Sequence, residues 1–183
     1  MKFLLALLSG AFLLIVLAAL PSAHPQVPSG REVVKPSAFT SVEPVARGGS
    51  FKIAVVLVVR NGFHINAHQP SAEYLIPTNL VAVNPPAGFK FGEISYPKGE
   101  LHTFAFSKTP LNVYQDKVIL RLPVTAGPNA PLGPQHIPLK LRYQACNQEL
   151  CLPPVTLDVD AAFTVDANPA NSRPAHAELF PSR

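Results

Sequence analysis

The sequence predicts an all-β fold, an antiparallel β-sandwich, on three observations. Apolar residues recur with period two in four separate segments, turn-forming Gly, Pro and Asn stand between them, and the chain carries 21 prolines. Period two sends alternate side chains to opposite faces of a strand, whereas an amphipathic helix needs a period of 3.6. Prolines at this density interrupt helices, because each removes a backbone donor and clashes with the preceding turn.

The elements follow in chain order. Ala38–Val42 is a short candidate strand. Phe51, Ile53, Val55, Leu57 and Val59 then alternate with Lys52, Ala54, Val56, Val58 and Arg60, and Asn61-Gly62 closes the segment with a turn. Glu73–Val83 and Phe89–Tyr96 are shorter candidates with weaker patterns. Val118, Leu120, Leu122 and Val124 alternate with Lys117, Ile119, Arg121 and Pro123. Ile137, Leu139, Leu141 and Tyr143 alternate with Lys140 and Arg142, and Val155, Leu157 and Val159 with Asp158 and Asp160. About seven short strands separated by turns predict a sandwich of immunoglobulin-like topology.

The ends read differently. Met1-Lys2 precedes an apolar run from Phe3 to Leu20, broken only by Ser9 and Gly10, and Pro21-Ser22-Ala23 follows. A short positive start, an apolar core and a small-residue end predict a secretory signal peptide over 1–23. An uncleaved anchor stays open, since the run approaches the roughly 18 residues that span a bilayer. No cysteine follows the run, which excludes a bacterial lipoprotein. Both readings place the remainder outside the cytoplasm, with no further membrane span expected.

Cleavage would leave 160 of the 183 residues, enough for one domain with a single core. Residues 24–36 read as a flexible leader, 37–166 as the domain, and 167–183 as a disordered tail. The formal charge of +4 drops to +3 once Lys2 is lost. Basic residues such as Lys52, Lys90, Lys117 and Arg142 are scattered, whereas a nucleic-acid surface needs them in a stripe. No nucleic acid is expected as a partner, and the basic balance reads as solubility.

Two cysteines, Cys146 and Cys151, lie in the run Tyr143-Gln-Ala-Cys-Asn-Gln-Glu-Leu-Cys-Leu-Pro-Pro154. They fall between two alternating segments, at the tip of a predicted hairpin. A bridge between them closes only a six-residue loop, which constrains the unfolded chain by about 2 kcal/mol, against about 4.7 for a hundred-residue loop. A staple would gain more by joining distant strands, and an accessible tip suits a reducible couple. Pro153-Pro154 stiffens the exit from the loop. Against this, Glu149 would raise a neighbouring thiol's pKa, and no adjacent cation is evident to lower it. From the residues alone, a redox couple and a structural disulfide both stay open. A metal site would need further ligands.

The run Tyr-Gln-Ala-Cys-x4-Cys-Leu-Pro-Pro resembles the active-site hairpin of the N-terminal periplasmic domain in the thiol:disulfide interchange protein DsbD family. The similarity continues, in matching order, at Asn61-Gly-Phe-His-Ile-Asn66, Glu73-Tyr-Leu-Ile-Pro-Thr78, Ile94-Ser-Tyr-Pro97 and Val113-Tyr-Gln-Asp-Lys117. It implies an immunoglobulin-like sandwich that exchanges disulfides through a mixed-disulfide intermediate. It makes Cys146 and Cys151 the couple, with Cys151 the attacking sulfur and Cys146 the resolving one. It also implies a cap loop in Leu101–Lys108 whose Phe104 or Phe106 shields the sulfurs, although ordinary packing of these rings stays open. His64 and Tyr143 become candidates to line the site, with an exposed loop position the other reading for His64.

The resemblance has departures. The two cysteines are separated by one residue fewer than is usual in that family, and His102-Thr103 stands where an acidic pair usually precedes the cap aromatic. No electron-carrying membrane domain or terminal thioredoxin domain follows, so a separate membrane or periplasmic reductant is expected. Thioredoxin-like periplasmic proteins are the expected exchange partners.

Other chemistry finds less support. His64 and His68 are four apart, a metal-binding spacing on a helix, but they sit in a turn-like Asn61–Pro70 segment. A copper carrier would want methionines, and the only Met is Met1. No hydrolase nucleophile motif occurs. The expectation is thus a thiol:disulfide interchange component of the periplasm or another extracytoplasmic space, without a bound cofactor. Its alternative is a non-enzymatic immunoglobulin-like interaction module with one structural disulfide.

Overall fold

The alternating segments pair as their patterns require in the computed structural model, which describes residues 27–181. Ser50–Val59 lies between Val34–Thr40 and Lys117–Ala126, antiparallel to both, and Phe89–Phe91 extends the outer edge. The second sheet is built on the antiparallel ladder of Gly133–Tyr143 with Val155–Asp166, flanked by Asn79–Ala82 and a short parallel pairing with Val45–Ala46. These sheets face one another as an immunoglobulin-like sandwich. Ile53, Val55, Leu57, Leu120, Ile137 and Leu141 are fully buried in one core cluster that draws on both. Phe163 bridges the layers, with ring centroids 5.0 Å from Phe51 and 5.6 Å from Phe89. Burying such side chains stabilises the fold by about 1.5–3 kcal/mol each.

A third, smaller sheet continues from the end of the sandwich and positions the site. Its order is Ala145–Cys146, His64–Asn66, Leu111–Tyr114 and Glu100–His102, all antiparallel. The sequence reading treats Asn61–Pro70 as turn-like, and the structure corrects this at His64–Asn66. All three residues of that strand are buried: Phe104 stacks on His64 on one face, and Ile65 on the other joins the main core. With both faces covered, the strand shows no alternation to read. Glu100–His102 and Leu111–Tyr114, three and four residues long, are likewise too short for a pattern.

The two predicted floppy ends also need correcting within the described residues. In the leader, Ser29 and Glu32 form a reciprocal capping box around a 3-10 turn at Gly30–Glu32. Val33 and Val34 are buried, and Pro36 pairs with Leu57 on an edge strand, a position proline tolerates. In the tail, Arg173–Pro174 pairs with Val42–Glu43, and Leu179 packs on Ala54 and Val56 beside Phe39, Ile119 and Phe180. Arg121 Nε donates to the Leu179 carbonyl at 2.7 Å. The tail thus covers the face of Ser50–Val59 that alternation assigns to solvent. Two apolar residues suffice for this, too few to register as a pattern. The predicted signal peptide lies outside the described residues. Among those described, no helix is long and apolar enough to cross a membrane.

Candidate functional site

The long hairpin ladder ends at the pair Tyr143 and Val155, and the chain between them builds the site. Asn147 makes the tip: its Oδ1 accepts from the backbone N–H groups of Glu149 and Leu150 at 2.9 and 2.8 Å, an Asx turn. Leu152 N–H donates to the Ala145 carbonyl at 2.8 Å. This brings Cys146 and Cys151 opposite one another as a β-bridge. They are joined by a disulfide, with Cα atoms 3.9 Å apart. The two halves differ in environment. Cys146 is fully buried, whereas Cys151 is exposed between buried Leu152 and the exposed tip residues.

The base of the hairpin is tied to the small sheet by polar side chains. Gln144 Nε2 donates to the Leu152 carbonyl at 3.3 Å. Asn66 Nδ2 donates to the Ile76 carbonyl at 3.0 Å and reaches Gln144 Oε1 at 3.5 Å. Thr78 Oγ1 donates to the Asn66 carbonyl at 2.6 Å. Asn66 and Thr78 are fully buried, and the bonds from Asn66 Nδ2 and Thr78 Oγ1 fix the geometry because their loss leaves a costly orphan; Asn66 Oδ1 itself has no partner among the described residues. Nothing in the sequence assigns any of these three residues a role. The available signal is that each falls within a stretch quoted for the resemblance.

His64 pairs directly across from Cys146. Residues so paired point to the same face of a sheet, so His64, Cys146 and Cys151 form one cross-strand row. His64 is 1% exposed, and its Nε2 has no hydrogen-bond partner among the described residues. Burial, with a smaller contribution from His102, lowers its pKa from 6.5 to about 4, so the ring is neutral near neutral pH. The reading of His64 as an exposed loop residue is therefore corrected: the hairpin and the facing loop enclose it.

That facing loop carries the two candidate cap rings. Phe104 is 3% exposed and stacks on His64, with centroids 3.9 Å apart and planes 18° from parallel. It is anchored in a small satellite core with Leu75, Leu111 and Val113. Phe106 is 41% exposed and stacks outside Phe104 at 5.5 Å. Phe104 therefore covers the histidine next to the disulfide, and Phe106 forms the outer layer. His102, at the edge of the loop, pairs with Glu100 Oε2 at 3.2 Å.

Tyr143 is placed elsewhere. Its ring is fully buried in the main core, and its hydroxyl donates to the Gly30 carbonyl at 2.7 Å. Burial pushes the phenol up to about 12. It pins the N-terminal segment to the hairpin rather than lining the site. His68 turns away from His64 to stack on Tyr96 at 3.6 Å, with Nδ1 3.0 Å from the Thr78 carbonyl. The pair at this spacing shares no ligand position. Among the described residues, no cluster of three or more His, Cys, Asp or Glu side chains is arranged to hold a metal.

A buried and an exposed sulfur in one short loop, beside a neutral imidazole under a stacked aromatic, can support attack on one defined sulfur and shield the other. Comparison with known families gives a match to the thiol:disulfide interchange protein DsbD, N-terminal, over residues 31–164. Comparison with curated proteins gives no match. Solved structures give remote likenesses. One is to a chain of the complex between the DsbD N-terminal and PilB N-terminal domains from Neisseria meningitidis, at 20% identity over 75% of this chain and 88% of that one, TM-score 0.45. Another is to the N-terminal periplasmic domain of ScsB from Proteus mirabilis, at 11% identity over 69% of this chain and 45% of that one, TM-score 0.45. A family 123 glycoside hydrolase from Clostridium perfringens follows at 13% identity over 75% of this chain and 28% of that one, TM-score 0.31. These likenesses are too remote to add to the family match.

Proposed function

This chain belongs to the family of N-terminal domains of the thiol:disulfide interchange protein DsbD, and from that premise we propose that it is an exported thiol–disulfide exchange domain working through Cys146 and Cys151. It passes reducing equivalents between a membrane or periplasmic reductant and thioredoxin-like partners. The observation that carries this reading is the asymmetry of the disulfide, with Cys151 exposed at the tip and Cys146 buried behind it. An incoming thiolate reaches the exposed sulfur first, forms a mixed disulfide with Cys151, and releases Cys146 as the leaving sulfur. In the reverse direction, Cys151 attacks a partner's disulfide and Cys146 resolves the intermediate. Phe104 and Phe106 act as the shield, leaving when a partner docks. The apolar run at Phe3–Leu20 is the basis for export to the periplasm or an equivalent compartment.

A redox titration of the full chain against glutathione and dithiothreitol tests this. Exchange requires a midpoint above about −300 mV and reduction by a thioredoxin. A lower midpoint, with resistance to thioredoxin, would instead support an interaction module with a structural disulfide. As a second readout, the Cys146→Ala chain should hold a thioredoxin-fold protein as a mixed disulfide through Cys151, and Cys151→Ala should not.

A further inference from the structure

We infer that His64 is the proton acceptor that activates the buried Cys146 thiol when this sulfur resolves a mixed disulfide. The inference rests on the exchange reading above and deepens it. Three observations support it. His64 and Cys146 are direct cross-strand partners, and Cys146 is in turn opposite Cys151, so the imidazole stands at the end of the row along which the sulfurs react. The ring is 1% exposed, yet Nε2 has no partner among the described residues. A buried polar atom left unpaired is costly, and such orphans are expected where a function requires them. The third is the lid: Phe104 lies on the ring at 3.9 Å and keeps it dry while the disulfide is closed.

The chemistry balances without another reagent. In the reduced chain, the Cys151 thiolate attacks a substrate disulfide, the S–S bond breaks, and the first substrate sulfur leaves with the electron pair. Nε2 then takes the proton from Cys146 Sγ. The Cys146 sulfur attacks Cys151 Sγ, the mixed disulfide breaks, and the second substrate thiolate leaves, taking up that proton directly or through water. The two cysteines are oxidised and the substrate disulfide is reduced to one thiolate and one thiol, the single proton having come from Cys146.

A neutral imidazole is the form that can accept a proton, and burial keeps His64 in that form. The titratable and charged groups on the elements around it are His102 with its partner Glu100, and the exposed Lys108 of the lid loop and Glu149 of the hairpin tip. When the lid is displaced, desolvation of the ring is relieved and its basicity rises, so docking and activation of Cys146 are coupled. An unassisted thiol with a pKa near 8.5 is only about 3% thiolate near pH 7. A base at this position can therefore speed resolution by up to about 30-fold.

The test uses the reduced full chain and dithiobis-nitrobenzoate, an aryl disulfide whose coloured thiolate is released once as Cys151 is captured and again as Cys146 resolves. His64→Phe keeps an aromatic ring for Phe104 to stack on and removes only the nitrogens. It should lower the ratio of second-phase to first-phase rate by about 10- to 30-fold near pH 7. Its second phase should rise with pH up to the thiol's own titration, while the wild-type phase levels off below it. If His64→Phe does not fold, as judged by near-ultraviolet circular dichroism, the same ratio is read on His64→Gln. An unchanged ratio and pH profile would overturn the inference. If the wild-type chain itself gives no second release, the exchange reading fails instead.

Discussion

Acid should destabilise this protein through His64, and the effect can be sized from its surroundings. The ring is 1% exposed, and its pKa falls from 6.5 in the unfolded chain to about 4 in the fold. Between those values the unfolded chain binds more protons than the folded one, so stability is fullest above about pH 6.5 and drains as pH falls toward about 4. A gap of this size corresponds to about 3 kcal/mol, a large share of the 5–15 kcal/mol typical of a domain. The perturbation is His64→Phe, which removes the titrating group and the unpartnered Nε2 together. Carboxylates such as Asp158 and Asp166, whose hydrogen bonds lower their pKa values, titrate in both proteins and cancel in the comparison. Urea denaturation of the oxidised chains, repeated between about pH 4 and 7.5, gives the two stability curves. The variant should be the more stable at every pH, by a margin that widens by about 3 kcal/mol toward acid. Parallel curves would refute the reasoning, since they would mean that His64 is hydrated or partnered in the fold.

Three further outcomes follow from the same contacts. Phe104→Ala should speed reduction of the disulfide by dithiothreitol several-fold and raise the His64 pKa from about 4 toward 6.5 by proton NMR; unchanged values would remove Phe104 as the shield. Tyr143→Phe deletes the bond to the Gly30 carbonyl and should cost about 1 kcal/mol, with faster amide exchange around Val33 and Val34. Leu179→Ala uncovers Ala54 and Val56 and should cost about 2–5 kcal/mol; a cost near zero in thermal or urea unfolding would mean that the tail does not dock in solution.

The sandwich was legible because its strands are long and half-buried. Ile53, Val55 and Leu57, then Leu120 and Leu122, recur with period two, and the structure turns them all inward. The position of the cysteine hairpin was legible for the same reason, since Tyr143 closes one alternating run and Val155 opens the next. For His64 the sequence leaves two environments open, because a three-residue strand buried on both faces has no period. Nothing in a lone Asn, Thr or Gln announces that Asn66 and Thr78 are buried and paired or that Gln144 ties the base of the hairpin. Tyr143 was expected at the site, but its hydroxyl reaches Gly30, a partner far away in the chain.

The sequence by itself determined the four long alternating strands, their inward faces, and a disulfide-sized loop between two of them. Those properties are local: alternation, turn residues and spacing act between near neighbours, and any fold must respect them. Only the tertiary structure decided which sulfur is exposed, that a buried imidazole whose Nε2 has no partner among the described residues sits opposite the buried one, and that Phe104 closes over that ring. It also decided that the proline-rich ends are built into the sheets. Each of these depends on desolvation by segments distant in the chain, and burial of a group is a property of what packs around it rather than of the residue itself.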